Sequence, residues 1–217
     1  MITVFNNKSG RVTTFIFLLS VFSFIGLSAQ NFTPLEISAG LNVDIIAEDS
    51  PRNQHTTNDV DNANYYFMSE DYPGANVGLP SSGTFISATT SNMPFELATY
   101  DANNSLRITN TGSGTLEFAT PSAAERIYIL ATSGSGSTSF SGTITFDDNT
   151  TQSISTQSVS DWFGGTTNVA ISGIGRINTN TVDNNTNDPR LYQIPIDIDA
   201  ANQSKNIVSI TIEKNSK

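Results

Sequence analysis

The sequence predicts an all-β fold, a two-sheet antiparallel β-sandwich of the jelly-roll type. Short runs of β-branched and aromatic residues recur along the chain, with Gly, Asn, Asp, Ser and Pro between them, as in domains built from many short strands. Apolar residues never keep a helical spacing over several turns. Turn residues return every eight to twelve residues or so, and no blade-length repeat is visible, which favours a sandwich over a propeller.

The first half of the chain contains six predicted strands. Residues 41–47 begin with alternating apolar and polar side chains, and residues 65–68 form a short apolar run. Residues 84–88 follow a Pro-Ser-Ser-Gly turn. The next three strands place apolar residues on one face and polar residues on the other, with the period of two that a half-buried strand requires. They are residues 95–100, 105–109 and 114–118, with hairpins predicted at the polar turns 101–104 and 110–113.

The second half of the chain continues this pattern. Residues 126–131 are almost all apolar, which predicts a central strand covered on both faces. Residues 140–146 and 151–155 flank a polar turn at residues 147–150 and predict a hairpin. The remaining predicted strands are residues 169–177, which precede an Asn-rich loop, and residues 191–196 and 207–212.

Residues 1–30 predict a secretory signal peptide. A positive segment with Lys8 and Arg11 precedes the apolar run 14–27, and Ser-Ala-Gln follows it as a cleavage site. The alternative is an N-terminal membrane anchor, but the run is shorter than the ~20 residues of a spanning helix. Cleavage leaves residues 31–217 as a single domain. It removes two of the ten cations and no acid, so eight cations remain against twenty acids and the formal net charge falls from -10 to -12.

The composition excludes several classes of function. The 217 residues include no cysteine and one histidine, which excludes a disulfide framework, a thiolate zinc site and a cysteine nucleophile. His55 lies in a predicted loop with no serine or cysteine arrangement near it. Nucleic-acid binding depends on clustered Lys and Arg, so the acidic balance argues against a nucleic-acid partner. No membrane insertion is expected after signal cleavage.

Catalysis by a pair of carboxylates is not expected either. A glycosidase needs two carboxyl groups roughly 5 to 10 Å apart, one of them with a raised pKa. Asp147 and Asp148 are adjacent in a tight turn, so their side chains diverge. Asp44, Glu96 and Glu117 fall on the polar phase of predicted strands and are expected to face solvent. We therefore expect a protein that is not an enzyme.

The strongest candidate for ligand binding is the segment Asp-Trp-Phe-Gly-Gly that contains Trp162. A rigid aromatic ring beside two glycines can present its face to a sugar while Asp161 accepts hydrogen bonds from hydroxyl groups. The alternative is that Trp162 plugs one end of the sandwich and Asp161 caps a turn. Tyr72 and Tyr66 lie near Asn-rich loops and are further candidates. If Tyr65 and Tyr66 share a strand they point to opposite faces, which leaves at most one available.

The order of these elements resembles the galactose-binding-like jelly-roll modules of secreted Bacteroidetes proteins. The resemblance spans roughly residues 33–214 and rests on residues 41–48, 103–108, 146–148 and 161–163. The Ala-Gln end of the signal segment and the Asn/Thr-rich, Cys-free chain are similar to such proteins as well. The resemblance implies an association with glycans and a structural calcium ion near the edge of a sheet.

Calcium is the cofactor that acidic, Asn-rich loops permit, because it takes about six to eight oxygen ligands from carboxylates, amides and carbonyls. Asp59 and Asp61 mark one such loop, and Asp183 and Asp188 mark another. Neither loop matches the spacing of an EF-hand. The alternative is that both are solvated turns.

These features predict a secreted or cell-surface protein that binds carbohydrate or another extracellular ligand without catalysis, as an accessory module. Its partner would be an extracellular glycan or a surface protein. The alternative is a structural or adhesive surface domain that packs against other extracellular proteins. An apolar cleft containing Trp162 would favour the first function, and a closed core with one broad exposed sheet the second.

Overall fold

Extended backbone forms all the regular secondary structure in the part of the protein that the structure describes. This computed structural model describes residues 31–49, 56–179 and 181–215. Fourteen β-strands and no helix lie in these ranges, which confirms the all-β prediction. The strands are β1 (Ile37–Ala39), β2 (Ile46–Ala47), β3 (Tyr65–Met68), β4 (Thr84–Ile86), β5 (Pro94–Glu96), β6 (Ser113–Ser122), β7 (Arg126–Ala131), β8 (Thr138–Phe146), β9 (Thr151–Val159), β10 (Val169–Ser172), β11 (Arg176–Asn178), β12 (Thr181–Asp183), β13 (Arg190–Asp197) and β14 (Ile207–Lys214).

Two sequence predictions fall outside the described residues, namely the signal peptide of residues 1–30 and the loop position of His55. The described residues from Asn31 onward group into one compact unit. None of them belongs to a helix long and apolar enough to cross a membrane.

Two antiparallel sheets enclose the main core. The large sheet has the strand order β1-β6-β14-β8-β9, and the facing sheet has the order β10-β13-β7. Ile144 and Phe146 of β8 point into the core with Ile210 of β14, where they join Ile194 and Ile196 of β13. Because alternation gives each strand one apolar face, the two sheets bury these faces against each other. The β-sandwich prediction is confirmed, and its jelly-roll winding stays a prediction.

A mixed sheet has the order β12-β11-β3-β2, and β4 pairs with β5 separately. β2 and β3 run parallel, with Ile46 opposite Phe67, whereas the sequence predicted antiparallel pairing throughout. A parallel pair needs a crossover connection, and the long segment between Ala47 and Tyr65 supplies it. Two smaller clusters of buried side chains include residues of this sheet: Ile46, Phe67, Leu79, Tyr100, Trp162, Ile174 and Leu191 in one, and Ala47, Tyr66, Met68, Tyr72 and Ile177 in the other.

Strand β7 lies at the edge of the facing sheet, which corrects the prediction that residues 126–131 form a central strand. The centre of that sheet is β13, between β10 and β7. The chain before β1 explains why β7 is apolar on both faces, because Phe32 packs edge-on against Tyr128 at 5.9 Å between ring centroids. Ile127 belongs to the main core. A strand at the edge of a sheet can therefore have the apolar sequence of a central strand when another segment covers its second face.

The predicted hairpins have different outcomes. The turn at residues 147–150 joins β8 and β9 antiparallel, as predicted. The predicted hairpin at residues 101–104 is wrong, because β5 ends at Glu96 and Ser105 makes only an isolated bridge to Val43. The polar turn residues are present there, but the described chain on either side does not pair with itself.

Asp44 is buried, which corrects the prediction that it faces solvent. It is 2% exposed, and its Oδ1 accepts hydrogen bonds from Asn104 Nδ2 at 2.7 Å and from the Ile46 amide at 3.3 Å. Its neighbour Val43 forms an isolated bridge and not a regular strand. The period-two rule behind the prediction therefore does not hold at this position.

Candidate functional site

The segment between β9 and β10 holds the residues that the sequence singled out most strongly for ligand binding. Trp162 lies in this segment and is 3% exposed. Its ring packs edge-on against Phe67 and against Phe163, each at 5.5 Å between ring centroids, an arrangement that aromatic quadrupoles favour. The ring therefore occupies the packed position that the sequence offered as the alternative to a sugar-binding platform.

Asp161 holds the same segment in place through both carboxylate oxygens. Its Oδ1 accepts a hydrogen bond from the Phe163 amide at 2.8 Å, and its Oδ2 accepts one from the Gly136 amide. The Tyr192 hydroxyl donates to the Asp161 carbonyl at 2.6 Å. An aspartate bonded to the amide two residues further on forms an Asx turn. A sugar hydroxyl would have to compete with these internal bonds for the Asp161 carboxylate.

Arg176 of β11 stacks on the aromatic rings of this region. Its guanidinium carbon lies 3.8 Å from the ring centroid of Tyr65, 4.4 Å from that of Phe163 and 5.5 Å from that of Trp162. Its Nε donates to Asp183 Oδ2 at 3.0 Å. We call Tyr65, Phe163, Arg176 and Asp183 the Arg176 cluster, and all four are partly exposed. Cation–π contacts stabilise by about 0.5 to 2 kcal/mol each, so the cluster fastens the Trp162 segment to the mixed sheet.

The Arg176 cluster was not predicted from the sequence, although the sequence contains two indications of it. Tyr65 and Tyr66 are consecutive in β3, so one of them has to face away from the core. Tyr66 is the buried one, at 8% exposure, and Tyr65 is only half-buried. Arg176 stands in an otherwise apolar run, where a cation requires an acidic or aromatic partner. Which tyrosine and which acid it meets depends on strand pairing, which the sequence alone does not specify.

Tyr72 and Tyr66, the two tyrosines predicted to contact a ligand, both lie in the buried cluster around Met68 and Ile177. Tyr72 is 3% exposed, and its hydroxyl has no hydrogen-bond partner among the described residues. The apolar ring dominates the energetics of a buried tyrosine. The structure thus places both residues in the core, away from the position of a binding surface.

Three of the four predicted calcium ligands form ion pairs with arginine. The pairs are Asp59 with Arg107 at 3.4 Å, Asp183 with Arg176 at 3.0 Å, and Asp188 with Arg190 at 2.7 Å. The fourth residue, Asp61, accepts a hydrogen bond from the Ala63 amide at 2.9 Å. The described ranges contain no group of three or more His, Asp or Glu side chains that could hold a metal ion. The predicted calcium site is untested, but at three of these carboxylates the ion would have to displace an arginine, so the ion pairs argue against binding there.

We expect calcium and a chelator to leave the melting temperature of a protein that comprises residues 31–217 unchanged. A ligand that binds only the folded state raises Tm by mass action, but the arginines beside Asp59, Asp183 and Asp188 repel a cation. Differential scanning fluorimetry in millimolar calcium and in EDTA measures the effect. A rise in Tm that disappears in Asp59→Ala or in Asp183→Ala would contradict this expectation and assign the ion to that loop.

Two exposed carboxylates have lowered pKa values. Hydrogen bonds from the amide and the hydroxyl of Ser81 lower the pKa of Glu70. Hydrogen bonds from Thr150 and Lys205 lower the pKa of Asp148 to about 2. A general acid needs a raised pKa to hold its proton at neutral pH. These two groups are therefore suited to accepting hydrogen bonds within turns and not to donating a proton to a substrate.

A shallow groove of about 350 Å³ lies beside β1. It is lined by Ile37, Ser38, Ala39, Gly40, Leu41, Ala102 and Asn103. This lining contains no carboxylate, imidazole or aromatic group, and it shares no residue with the Arg176 cluster. The groove therefore does not have the aromatic and acidic groups with which the sequence predicted sugar binding.

The region around Trp162 is thus a packed loop with a partly exposed arginine-aromatic cluster on it. Its aromatic and acidic side chains bond chiefly to one another, through ring stacking, ion pairs and turn hydrogen bonds. No family model, curated protein or solved structure matches the chain.

Proposed function

We propose that the mature chain is a secreted, non-catalytic β-sandwich domain with a structural or adhesive role at the cell surface, exerted through the outer face of its large sheet. The burial of Trp162, Tyr66 and Tyr72 supports this choice over a sugar pocket, because none of the three rings is free to stack on a ligand. The observation that carries the proposal is the regular arrangement of hydroxyl groups on that outer face.

These hydroxyl groups form two rows across the large sheet. In the first row Thr115 of β6, Thr211 of β14, Thr143 of β8 and Ser153 of β9 are successive cross-strand neighbours. In the second row the carboxylate of Glu117 is followed, in the same strand order, by the hydroxyl groups of Ser209, Thr145 and Thr151. We call the residues of both rows the hydroxyl face. Ile144 and Ile210 of the same strands lie in the core, so alternation separates the polar face from the apolar one.

The chemistry of the hydroxyl face suits adhesion to an extended polar surface. Neighbouring strands lie about 4.8 Å apart, and alternate residues of one strand about 6.8 Å apart, so the two rows form a regular grid. Each hydroxyl both donates and accepts hydrogen bonds, and those of Thr115 and Thr211 lie 2.8 Å from each other. Such a grid offers many modest hydrogen bonds to a glycan or protein surface, each worth about 1 kcal/mol or less.

Carbohydrate binding at the Arg176 cluster is the second candidate function. Tyr65 and Phe163 are partly exposed there, and Arg176 and Asp183 supply a charged donor and acceptor. The resemblance to galactose-binding-like modules supports this candidate. It stands second because the guanidinium of Arg176 lies over both rings, which removes those ring faces from contact with a sugar.

Retention on the cell surface tests the first candidate. Labelled mature chain added to cells that export it is expected to stay bound to them, and the double variant Thr115→Glu/Thr211→Glu to be released, because two charges interrupt the first hydroxyl row. Ser204→Glu, a substitution in an exposed turn, is the matched control and should be retained. Binding to an oligosaccharide on a glycan array that Phe163→Ala abolishes and Thr115→Glu/Thr211→Glu preserves would contradict the first candidate and favour the second.

A further inference from the structure

The edges of the described sheets differ in how well they are protected. An edge strand presents unpaired backbone groups and is a template for another strand, and short length, bulges, charge and covering segments blunt it. β1, β2, β4, β5, β10 and β12 have between two and four residues each, and the pairings of β1 and β10 contain register shifts. β7 begins at the charged Arg126 and has Phe32 packed against its Tyr128.

β9 is the long edge strand that has none of these protections along its first half. It has nine residues, and among the described residues it pairs only with β8. Its sequence, TQSISTQSV, contains no charged residue and no proline. The twenty acids of the chain all lie elsewhere, so two copies can bring this neutral edge together without placing like charges opposite each other. The edge of β9 can therefore pair with the same edge of a second copy of the chain.

The first half of β9 is regular and firmly anchored. Buried Gln152 and Ile154 alternate with exposed Thr151, Ser153 and Ser155. The Gln152 side chain connects β9 with the end of the facing sheet, since its Nε2 donates to the Asp197 carbonyl at 2.9 Å and its Oε1 accepts from the Asp199 amide at 2.9 Å. An edge that is already ordered loses little conformational freedom when it pairs.

A β-bulge ends this regular part of the strand. Ile154 is opposite Gly142, whereas Gln157 is opposite Phe140, so two residues of β9 face one residue of β8. Ser155 and Thr156 are the two bulge residues, so the regular register covers residues 151–154, and Ser153 is one of the two residues at its middle.

We propose that β9 forms the interface of a homodimer, in which the two copies of β9 pair antiparallel about a two-fold axis through Ser153. Opposed residues of an antiparallel pair lie on the same face of a sheet, and centring on Ser153 meets this condition. Ser153 then faces Ser153, Gln152 faces Ile154, and Thr151 faces Ser155. The interface is isologous, as in most homodimers. The two large sheets become one continuous sheet with both hydroxyl faces on the same side.

The short ladder makes this a weak dimer. Stable protein interfaces bury about 1,200 to 2,000 Å² in total, and pairing over residues 151–155 alone buries less. We therefore expect a dissociation constant of the dimer in the micromolar range or above. The inference rests on the strand edge and holds whether or not the hydroxyl face is adhesive.

A single introduced cysteine tests the pairing, because the chain has no cysteine of its own. In the dimer the Cβ atoms at position 153 are about 4.5 to 5.5 Å apart, a gap that a disulfide closes with a small backbone movement. Mild oxidation is expected to convert Ser153→Cys into a covalent dimer and to leave Ser204→Cys, in an exposed turn, monomeric. Equal cross-linking of the two variants, or none of Ser153→Cys, would overturn the proposal.

Sedimentation velocity of the unaltered mature chain measures the equilibrium itself. The mass is expected to rise towards that of a dimer with concentration, and Ser153→Glu/Ser155→Glu to stay monomeric with an unchanged β-type circular dichroism spectrum, because four carboxylates would meet at the two-fold axis. Thr120→Glu/Ser204→Glu, two exposed positions outside β9, should still dimerise. A wild-type monomer up to millimolar concentration, or a dimer that persists in Ser153→Glu/Ser155→Glu, would overturn the proposal. Thr115→Glu/Thr211→Glu should dimerise normally, which separates this test from that of adhesion.

Discussion

Replacement of Trp162 by alanine is expected to lower the free energy of unfolding by about 3 to 5 kcal/mol. The ring is 3% exposed and packs against Phe67 and Phe163, so its removal leaves a cavity between the mixed sheet and the segment after β9. A loss of this size is a large share of the ~5 to 15 kcal/mol that separates a folded domain from its unfolded chain. Urea denaturation of residues 31–217, with and without the substitution, measures it.

Phe163→Ala is the matched control for this prediction. Phe163 is the next residue and belongs to the same segment, but it is partly exposed, so its truncation removes less buried surface and should cost clearly less. The comparison separates burial from a general sensitivity of the segment. A Trp162→Ala variant that loses under about 1 kcal/mol, or no more than Phe163→Ala, would contradict the core position of Trp162.

Replacement of Asp44 by alanine is expected to lower the free energy of unfolding by about 1 to 3 kcal/mol, because it leaves buried donors without their acceptor. The donors are Asn104 Nδ2 and the Ile46 amide, which both bond to Asp44 Oδ1. Asp44→Asn keeps a carbonyl oxygen as an acceptor and should lose less. Thermal or urea denaturation at neutral pH measures all three proteins.

Glu117→Ala is the control for Asp44. The sequence predicted that both carboxylates face solvent, and Glu117 does so. Its truncation is expected to change the free energy of unfolding by no more than about 0.5 kcal/mol. Equal and small effects for Asp44→Ala and Glu117→Ala would show that the buried position of Asp44 is wrong.

The large sheet was predictable from the sequence where a strand is long and has one apolar face. β8 and β9 alternate regularly on both sides of an Asp-Asp-Asn-Thr turn, and local rules are sufficient for such a hairpin. Both roles of Trp162, platform or plug, could be stated in advance, because a lone tryptophan beside two glycines is compatible with either. The choice between them depends on what packs against the ring, and Phe67 comes from a strand far away in the chain.

The remaining features depend on contacts between distant segments. Asp44 is buried because Asn104 supplies a hydrogen bond from 60 residues away in sequence, and no local period encodes that partner. β7 resembles a central strand because Phe32 covers it. The predicted calcium loops have the same composition as solvated acidic turns. Of the arginines that pair with their carboxylates, Arg107 is 48 residues from Asp59, whereas Arg176 and Arg190 lie close in sequence to Asp183 and Asp188, so these two pairs were visible in the local sequence.

The fluorescence of Trp162, the one tryptophan of the chain, tests most directly the claim that this ring is a core residue and not a sugar-binding platform. We predict the emission maximum of a buried indole, with little quenching by acrylamide and no change on addition of oligosaccharides. Emission typical of a solvent-exposed indole, quenched by acrylamide and shifted by an oligosaccharide, would contradict the account and assign ligand binding to Trp162.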